Sequence, residues 1–100
     1  MLNQIKSSLK VCLNSIDPSI DISSDEIEVS LLFDEKGDFT TNIALKFSKI
    51  YKQKPSDLAK LIINSFPSQD FEKIEIAGPG FINFFLKDQF FFRLLNSQNN

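Results

Sequence analysis

The chain has 100 residues, of which 42% are hydrophobic and 24% are charged, and its formal net charge is −2. This length and apolar content predict one domain with a modest core, and the slightly acidic balance excludes a protein whose whole surface binds phosphates. No apolar run approaches the about 20 residues that a membrane span needs, and the first residues lack the basic and apolar regions of a secretory signal.

The residue types that dominate catalytic and metal sites are scarce. The chain has no histidine, which removes the commonest general base and the commonest metal ligand. The single cysteine, Cys12, cannot form a thiolate zinc site. Its place in an apolar stripe predicts a buried thiol in a reducing cytoplasm, and a reactive thiol is the alternative. The carboxylates follow a pattern typical of solvated surface, so we expect no catalytic residue and no metal site.

The N-terminal half predicts a helix and a strand. An apolar stripe at spacings of three and four indicates an amphipathic helix that ends at Asp17-Pro18. An alternating pattern then predicts a half-buried strand, with its turn at Lys36-Gly37-Asp38. The segment 38–42 after it offers several candidate helix caps in succession. The stripe is Leu2, Ile5, Leu9, Cys12, Leu13 and Ile16, and the strand carries Ile27, Val29, Leu31 and Phe33.

Two more helices are predicted between residues 43 and 66. The third helix starts at Pro55, which suits a first helical position, has Asp57 in its first turn and stops before Pro67. A row of lysines on the second helix is either a solvated face or a phosphate-contacting one. That row is Lys46, Lys49, Lys52 and Lys54, and the two apolar stripes are Ile43, Ala44, Phe47, Ile50 and Tyr51, then Leu58, Ala59, Leu61, Ile62 and Phe66.

The C-terminal part predicts a strand with Ile74 and Ile76, a turn at Gly78-Pro79-Gly80, a returning strand over 81–86 and a last helix capped by Asp88. The resulting order is α, β, α, α, β, β, α. It predicts an α+β fold of two layers, with helices packed on one face of a small, mainly antiparallel sheet.

The least generic segment is the returning strand with the glycines before it. Alternation directs Ile82, Phe84 and Leu86 to the helix-covered face, and Phe81, Asn83 and Phe85 to the other. An aromatic ring with an amide two residues later can stack on one unpaired base and hydrogen-bond to its edge. Glycines let a sugar-phosphate backbone approach closely. The alternative is that the aromatics are core residues and the glycines only turn the chain.

Two motifs in succession carry a family resemblance. They are Gly-Asp-aromatic-x-Thr-Asn at Gly37, Asp38, Phe39 and Asn42, and Ala-Gly-Pro-Gly-Phe-Ile-Asn at 77–83. With a lysine-bearing helix and Lys54-Pro55 between them, the chain resembles the N-terminal additional domain of arginyl-tRNA synthetases from its first helix to about Leu86.

The resemblance implies a domain over residues 1–87 that binds arginine tRNA at its elbow, where the D-loop base at tRNA position 20 is unstacked. It implies that Phe81 and Asn83 face that base. To this we add the expectation, from the residues themselves, that Gly78 and Gly80 lie beside the base and that Lys46, Lys49 or Lys52 makes weak phosphate contacts. Some members have a tyrosine where this chain has Phe81, so a hydrogen bond through that hydroxyl is absent. Asp38 and Asn42 are predicted to cap the second helix and fix the turn, and Phe39 to anchor the turn in the core.

The resemblance also implies a parent enzyme. That enzyme is a cytoplasmic class I arginine–tRNA ligase that uses ATP with Mg, whereas this chain lacks the two signature loops of the catalytic domain. Residues 88–100 are then the helical start of a linker to that missing domain. We expect no cofactor in this chain and no membrane contact.

Two further hypotheses remain open at this point. One is an interdomain docking or dimerisation module without RNA contact, for which the cluster Phe90, Phe91 and Phe92 offers a self-association patch. The other is a small-molecule enzyme that uses the Gly-Pro-Gly loop. This loop lacks the lysine and hydroxyl residue that follow the glycines of a phosphate-binding motif, which argues against that hypothesis.

Overall fold

The computed structural model describes residues 2–34 and 37–87 of the chain. Within these ranges four strands form one antiparallel sheet in the order β1-β2-β4-β3, and the helices pack against it. The predicted α+β class is therefore confirmed. The elements are α1 (Leu2–Ile16), a short 3-10 turn (Ser24–Glu26), β1 (Val29–Asp34), β2 (Gly37–Thr41), α2 (Ile43–Phe47), α3 (Pro55–Ser65), β3 (Phe71–Ala77) and β4 (Phe81–Leu86).

Helix α1 forms and ends where the sequence predicts. Its apolar stripe faces the core, with Ile5, Leu9 and Leu13 buried. Beyond Ile16 the Asp17 carboxylate accepts hydrogen bonds from the Ser19 hydroxyl at 2.6 Å and the Ser19 amide at 3.0 Å. These two bonds hold the turn before the next segment and lower the pKa of Asp17.

Helix α3 and the two C-terminal strands enclose an aromatic cluster at the centre of the core. Pro55 occupies the first turn of α3, as predicted, and the chain leaves the helix at Phe66. The ring centroid of Phe84 lies 5.2 Å from that of Phe66 and 5.4 Å from that of Phe71. Since such tilted ring pairs are favourable beyond their buried area, this cluster joins α3 to β3 and β4.

The predicted alternation of β4 is confirmed. Ile82, Phe84 and Leu86 are buried under the helices. Phe81, on the other face, is exposed, while Phe85 is half-buried. Because β4 pairs with β2 on one side and β3 on the other, its outward residues lie along the middle of the open sheet face.

The structure corrects the prediction for residues 37–42. Gly37 and Asp38 do not form a turn there, because Gly37–Thr41 is strand β2, paired with both β1 and β4. Hydroxyl and carboxyl side chains favour turns and caps locally, but pairing on both edges outweighs that preference here. Phe39 is buried in the core, as predicted, although it lies on a strand.

Other predicted stripes are shorter than expected. Helix α2 ends at Phe47, and the chain continues in turns, with Lys52 in the left-handed region at φ 56°. Ile50, which follows the end of α2, is exposed. Two apolar residues of other predicted stripes, Leu31 on the edge strand and Leu61 on α3, are exposed as well. The predicted last helix and its cluster Phe90, Phe91 and Phe92 lie outside the described residues, so self-association through that cluster stays a prediction.

Cys12 is expected to resist thiol reagents until the chain unfolds. Its side chain is 1% exposed, and burial raises the pKa of the thiol, so thiolate is scarce in the folded state at neutral pH. Modification by a chromogenic disulfide should follow the unfolding curve in denaturant. Rapid reaction of the native chain at pH 7 would instead support the reactive-thiol alternative.

Candidate nucleic-acid interface

The open face of the sheet carries an exposed aromatic ring directly after a tight turn. Phe81 is the first residue of β4, and 39% of its surface is exposed. The turn before it requires glycine at Gly78, whose φ of 57° lies in the left-handed region. The ring is thus presented at the rim of the sheet by a turn of fixed shape.

Gly80 brings the start of helix α3 against this turn. A Cβ built on Gly80 would lie 2.9 Å from the Cβ of Pro55, closer than real side chains approach. Glycine is therefore needed for packing here, and the contact places Lys54, the residue before Pro55, near the same rim. The predicted site residues Gly78, Gly80 and Phe81 are accordingly brought together.

Asn83 lies two residues further along the same face. It is only 8% exposed, because neighbouring strands flank it on both sides: Thr40 of β2 is its register partner on one side and Glu75 of β3 on the other. The Thr40 hydroxyl donates a hydrogen bond of 2.6 Å to Asn83 Oδ1. Among residues 2–34 and 37–87, no group hydrogen-bonds to the Asn83 amide nitrogen, which leaves two donors for a ligand.

A small pocket of 90 Å³ opens beside Phe81. Its polar lining consists of hydroxyl, amide and carboxylate side chains, and no lysine lines it. The hydroxyl and amide groups can donate as well as accept hydrogen bonds, and a lining with a carboxylate and no lysine suits a base edge better than phosphate oxygens. The lining residues are Glu28, Ser30, Thr40, Thr41, Asn42 and Phe81.

Asp38 and Asn42 do not perform the predicted capping. Asp38 Oδ2 accepts a 2.8 Å hydrogen bond from the Leu86 amide and so ties β2 to the end of β4. Asn42 occupies the N-cap position of α2, but its side chain makes no capping bond and its Oδ1 is buried without a partner among the described residues. Thr41, one residue earlier, accepts the Ile43 amide at 3.4 Å and donates to the Glu28 carbonyl at 2.7 Å.

The predicted lysines differ in the contacts that their side chains make. Lys46 Nζ donates to the Glu26 carbonyl at 2.8 Å and lies 4.0 Å from Glu28 Oε1, so this cation is already engaged. Lys49 and Lys52 are exposed in the turns after α2 rather than on one helix face. The structure therefore divides the predicted row into Lys46, which is held by its contacts, and Lys49 and Lys52, which are exposed in turns.

Phe85 lies on the same face as Phe81 but is differently surrounded. Lys73 Nζ lies 4.4 Å from the centroid of the Phe85 ring and 3.1 Å from Glu75 Oε1. A cation over the ring covers one of its stacking surfaces. Phe81 is accordingly the better platform for a base.

Sequence comparison identifies the family of this fold and site. The family model for the arginyl tRNA synthetase N-terminal domain matches residues 3–86. The chain belongs to this family. The arginyl-tRNA synthetase N-terminal domain thus accounts for all the described elements, from α1 to β4.

Two relatives illustrate the similarity of this arginyl-tRNA synthetase domain to longer arginine–tRNA ligases. It is 40% identical over 93 residues to the arginine–tRNA ligase of Shewanella piezotolerans, covering 88% of this chain and 16% of the relative. It is 46% identical over 68 residues to the arginine–tRNA ligase of Staphylococcus carnosus, a match that covers 65% of this chain and 12% of the relative. The chain therefore spans about a sixth or less of the length of these curated relatives.

Solved structures show the same fold for the domain. The arginyl-tRNA synthetase of Plasmodium falciparum superposes with a TM-score of 0.75 at 22% identity, covering 87% of this chain and 16% of that one. The Thermus thermophilus arginyl-tRNA synthetase gives a TM-score of 0.74 at 18% identity, and the match covers 94% of this chain and 15% of that one. Within the described residues no helix is long and apolar enough to cross a membrane.

Proposed function

We propose that this domain is the tRNA-binding module of an arginine–tRNA ligase and that it contacts the D-loop base at position 20 in the tRNA elbow. The observation that carries the proposal is the exposed Phe81 ring at the rim of the sheet face opposite the helices. It lies two residues from an amide whose nitrogen donates no hydrogen bond within the described part of the chain. One unstacked base can lie on the ring while its edge reaches Asn83.

The energetics favour a weak, tethered contact. Stacking of one base on an aromatic side chain contributes about 1–3 kcal/mol. The chain carries a net charge of −2, so little general attraction to RNA adds to this. Joined to a catalytic domain that also holds the tRNA, the contact becomes intramolecular and its effective concentration rises.

The proposal includes phosphate contacts, but the structure changes which lysines we expect to make them. Lys49 and Lys52 are exposed and available to the RNA backbone, and Lys54 stands beside the Gly80–Pro55 contact. Lys46 would have to leave the Glu26 carbonyl to bind a phosphate. We therefore expect Lys46 to contribute less than Lys49.

The parent enzyme is part of the same proposal. It is a cytoplasmic class I ligase whose ATP and Mg bind in a catalytic domain that follows this one, and residues 88–100 begin the connection. The domain itself contributes binding and orientation of arginine tRNA and no chemical step. Its partners are the tRNA and that catalytic domain.

The test is an NMR titration of the isotope-labelled chain with an arginine tRNA and with the same tRNA made abasic at position 20. We expect the backbone amides of Gly78, Gly80 and Phe81 and the side-chain amide of Asn83 to shift with the intact tRNA and to shift much less with the abasic one. Shifts confined to the lysine-bearing turn after α2, equal for both RNAs, would show electrostatic binding only and would remove the base contact.

A further inference from the structure

We propose that Thr40 is a positioning residue that holds the Asn83 amide with its NH2 group toward the base, so that this site reads a hydrogen-bond acceptor on the base edge. The inference rests on the proposed base contact. Thr40 stands at the position that the motif Gly-Asp-aromatic-x-Thr-Asn leaves unspecified, and no role for it follows from the sequence motif.

The first support is the cross-strand row in which Asn83 stands. Thr40 of β2 pairs with Asn83 of β4, which pairs with Glu75 of β3, and Ser30 of β1 completes the row beside Thr40. Residues in register on neighbouring strands share one face with their side chains about 5 Å apart. Asn83 is thus flanked by a hydroxyl on one side and a carboxylate on the other.

The second support is the chemistry of these two flanks. The Thr40 hydroxyl donates to Asn83 Oδ1 at 2.6 Å, a short bond that fixes the oxygen on the β2 side. On the β3 side Glu75 offers only acceptor oxygens when ionised, and one of them lies 3.1 Å from Lys73 Nζ. Turning the amide over would direct its oxygen toward that carboxylate and would replace the short bond from the Thr40 hydroxyl with one in which Thr40 accepts. The carboxylate therefore disfavours the turned amide, and the Thr40 bond holds the favoured one.

The consequence concerns what the site can recognise. The terminal torsion of asparagine is broad and nearly two-fold, so a free amide would offer either its oxygen or its NH2 to a base. An amide held by Thr40 offers NH2 alone and binds a base that presents an acceptor there. The partner is therefore an unpaired nucleobase with an accessible ring nitrogen or carbonyl at this edge.

The experiment compares three variants of the 100-residue chain. Thr40→Val removes the hydroxyl and keeps the shape, and Thr40→Ser keeps the hydroxyl. The control Ser7→Ala removes an exposed hydroxyl of helix α1 that does not line the pocket beside Phe81. Each is titrated with arginine tRNA transcripts that carry A, C, G or U at position 20 and with the abasic form. Circular dichroism melting checks that each variant is folded.

Base preference is measured as the Kd for the weakest-binding base at position 20 divided by the Kd for the tightest-binding one. We expect Thr40→Val to reduce this ratio by about threefold or more, because the variant loses the contribution of one hydrogen bond. Thr40→Ser and Ser7→Ala should keep the ratio of the unchanged chain. In the free chain, the side-chain NH2 resonances of Asn83 should move in Thr40→Val and keep their positions in Thr40→Ser.

Three results would overturn the inference. The first is an equal loss of affinity for all four bases in Thr40→Val, and the second is a ratio of Kd values in that variant equal to that of the unchanged chain. The third result is an unchanged chain that discriminates against the abasic tRNA but shows no preference among the four bases. In all three the base contact itself survives. Equal binding of abasic and intact tRNA by the unchanged chain would instead refute the proposed function, and the role of Thr40 with it.

Discussion

Replacing Phe84 with alanine is expected to destabilise the chain by about 3–5 kcal/mol, the range for a fully buried phenylalanine. The side chain is 0% exposed and is the ring that meets both Phe66 and Phe71. Its removal leaves a cavity between α3 and the sheet that the rigid strands cannot close. Because small domains are stable by only about 5–15 kcal/mol, this loss removes a large part of the free energy of unfolding.

Urea denaturation followed by circular dichroism measures this loss, and Phe85→Ala is its matched control. Phe85 is the next residue on the same strand, but it points to the open face and is half-buried. Its replacement should lower the free energy of unfolding much less. Equal losses for the two variants would mean that the helices do not cover the face of β4 that carries Phe84.

The elements that could be predicted from sequence are those whose periodicity matches their burial. Helices α1 and α3 and strand β4 each bury one uninterrupted stripe, so the spacing of apolar residues reveals both the element and its inward face. Proline and glycine mark their ends at Pro18, Pro55 and Gly78 because backbone geometry, not tertiary context, acts there.

Strand β2 escaped prediction because its stability comes from its neighbours. The segment Gly37–Thr41 has one large apolar residue, Phe39, and its hydroxyl and carboxyl residues favour turns and caps. In the fold it is paired on both edges, and Asp38 binds the Leu86 amide. The pairing with β4 and the bond from the Leu86 amide to Asp38 both join positions more than 40 residues apart, a relation that a local pattern does not contain.

The same omission explains what was missed at the candidate site. Alternation along β4 was enough to place Phe81 and Asn83 on one face. The contact between Thr40 and Asn83 requires knowing that β2 is a strand and that it lies beside β4. Likewise, the lysine pattern could not show that Lys46 is bound to the Glu26 carbonyl, which belongs to a distant turn.

Replacing Phe81 with alanine is expected to weaken binding of arginine tRNA by roughly 5- to 150-fold, which corresponds to the loss of one base stack of about 1–3 kcal/mol. The fold should change little, because 39% of the residue is exposed and it stands at the rim of the sheet. Fluorescence anisotropy with labelled tRNA at fixed low salt measures the Kd, and thermal melting confirms the fold.

Phe85→Ala is again the matched control, because it removes the same ring from the same strand face four residues away. Lys73 covers the Phe85 ring at 4.4 Å, so this variant should bind tRNA within about twofold of the unchanged chain, as expected for a residue outside the contact. With tRNA abasic at position 20, Phe81→Ala should weaken binding no further, since the stacking partner is already gone. If Phe81→Ala weakened binding of intact and abasic tRNA by the same factor, the ring would act on the RNA backbone or on the turn at Gly78, and the stacking assignment would have to be abandoned.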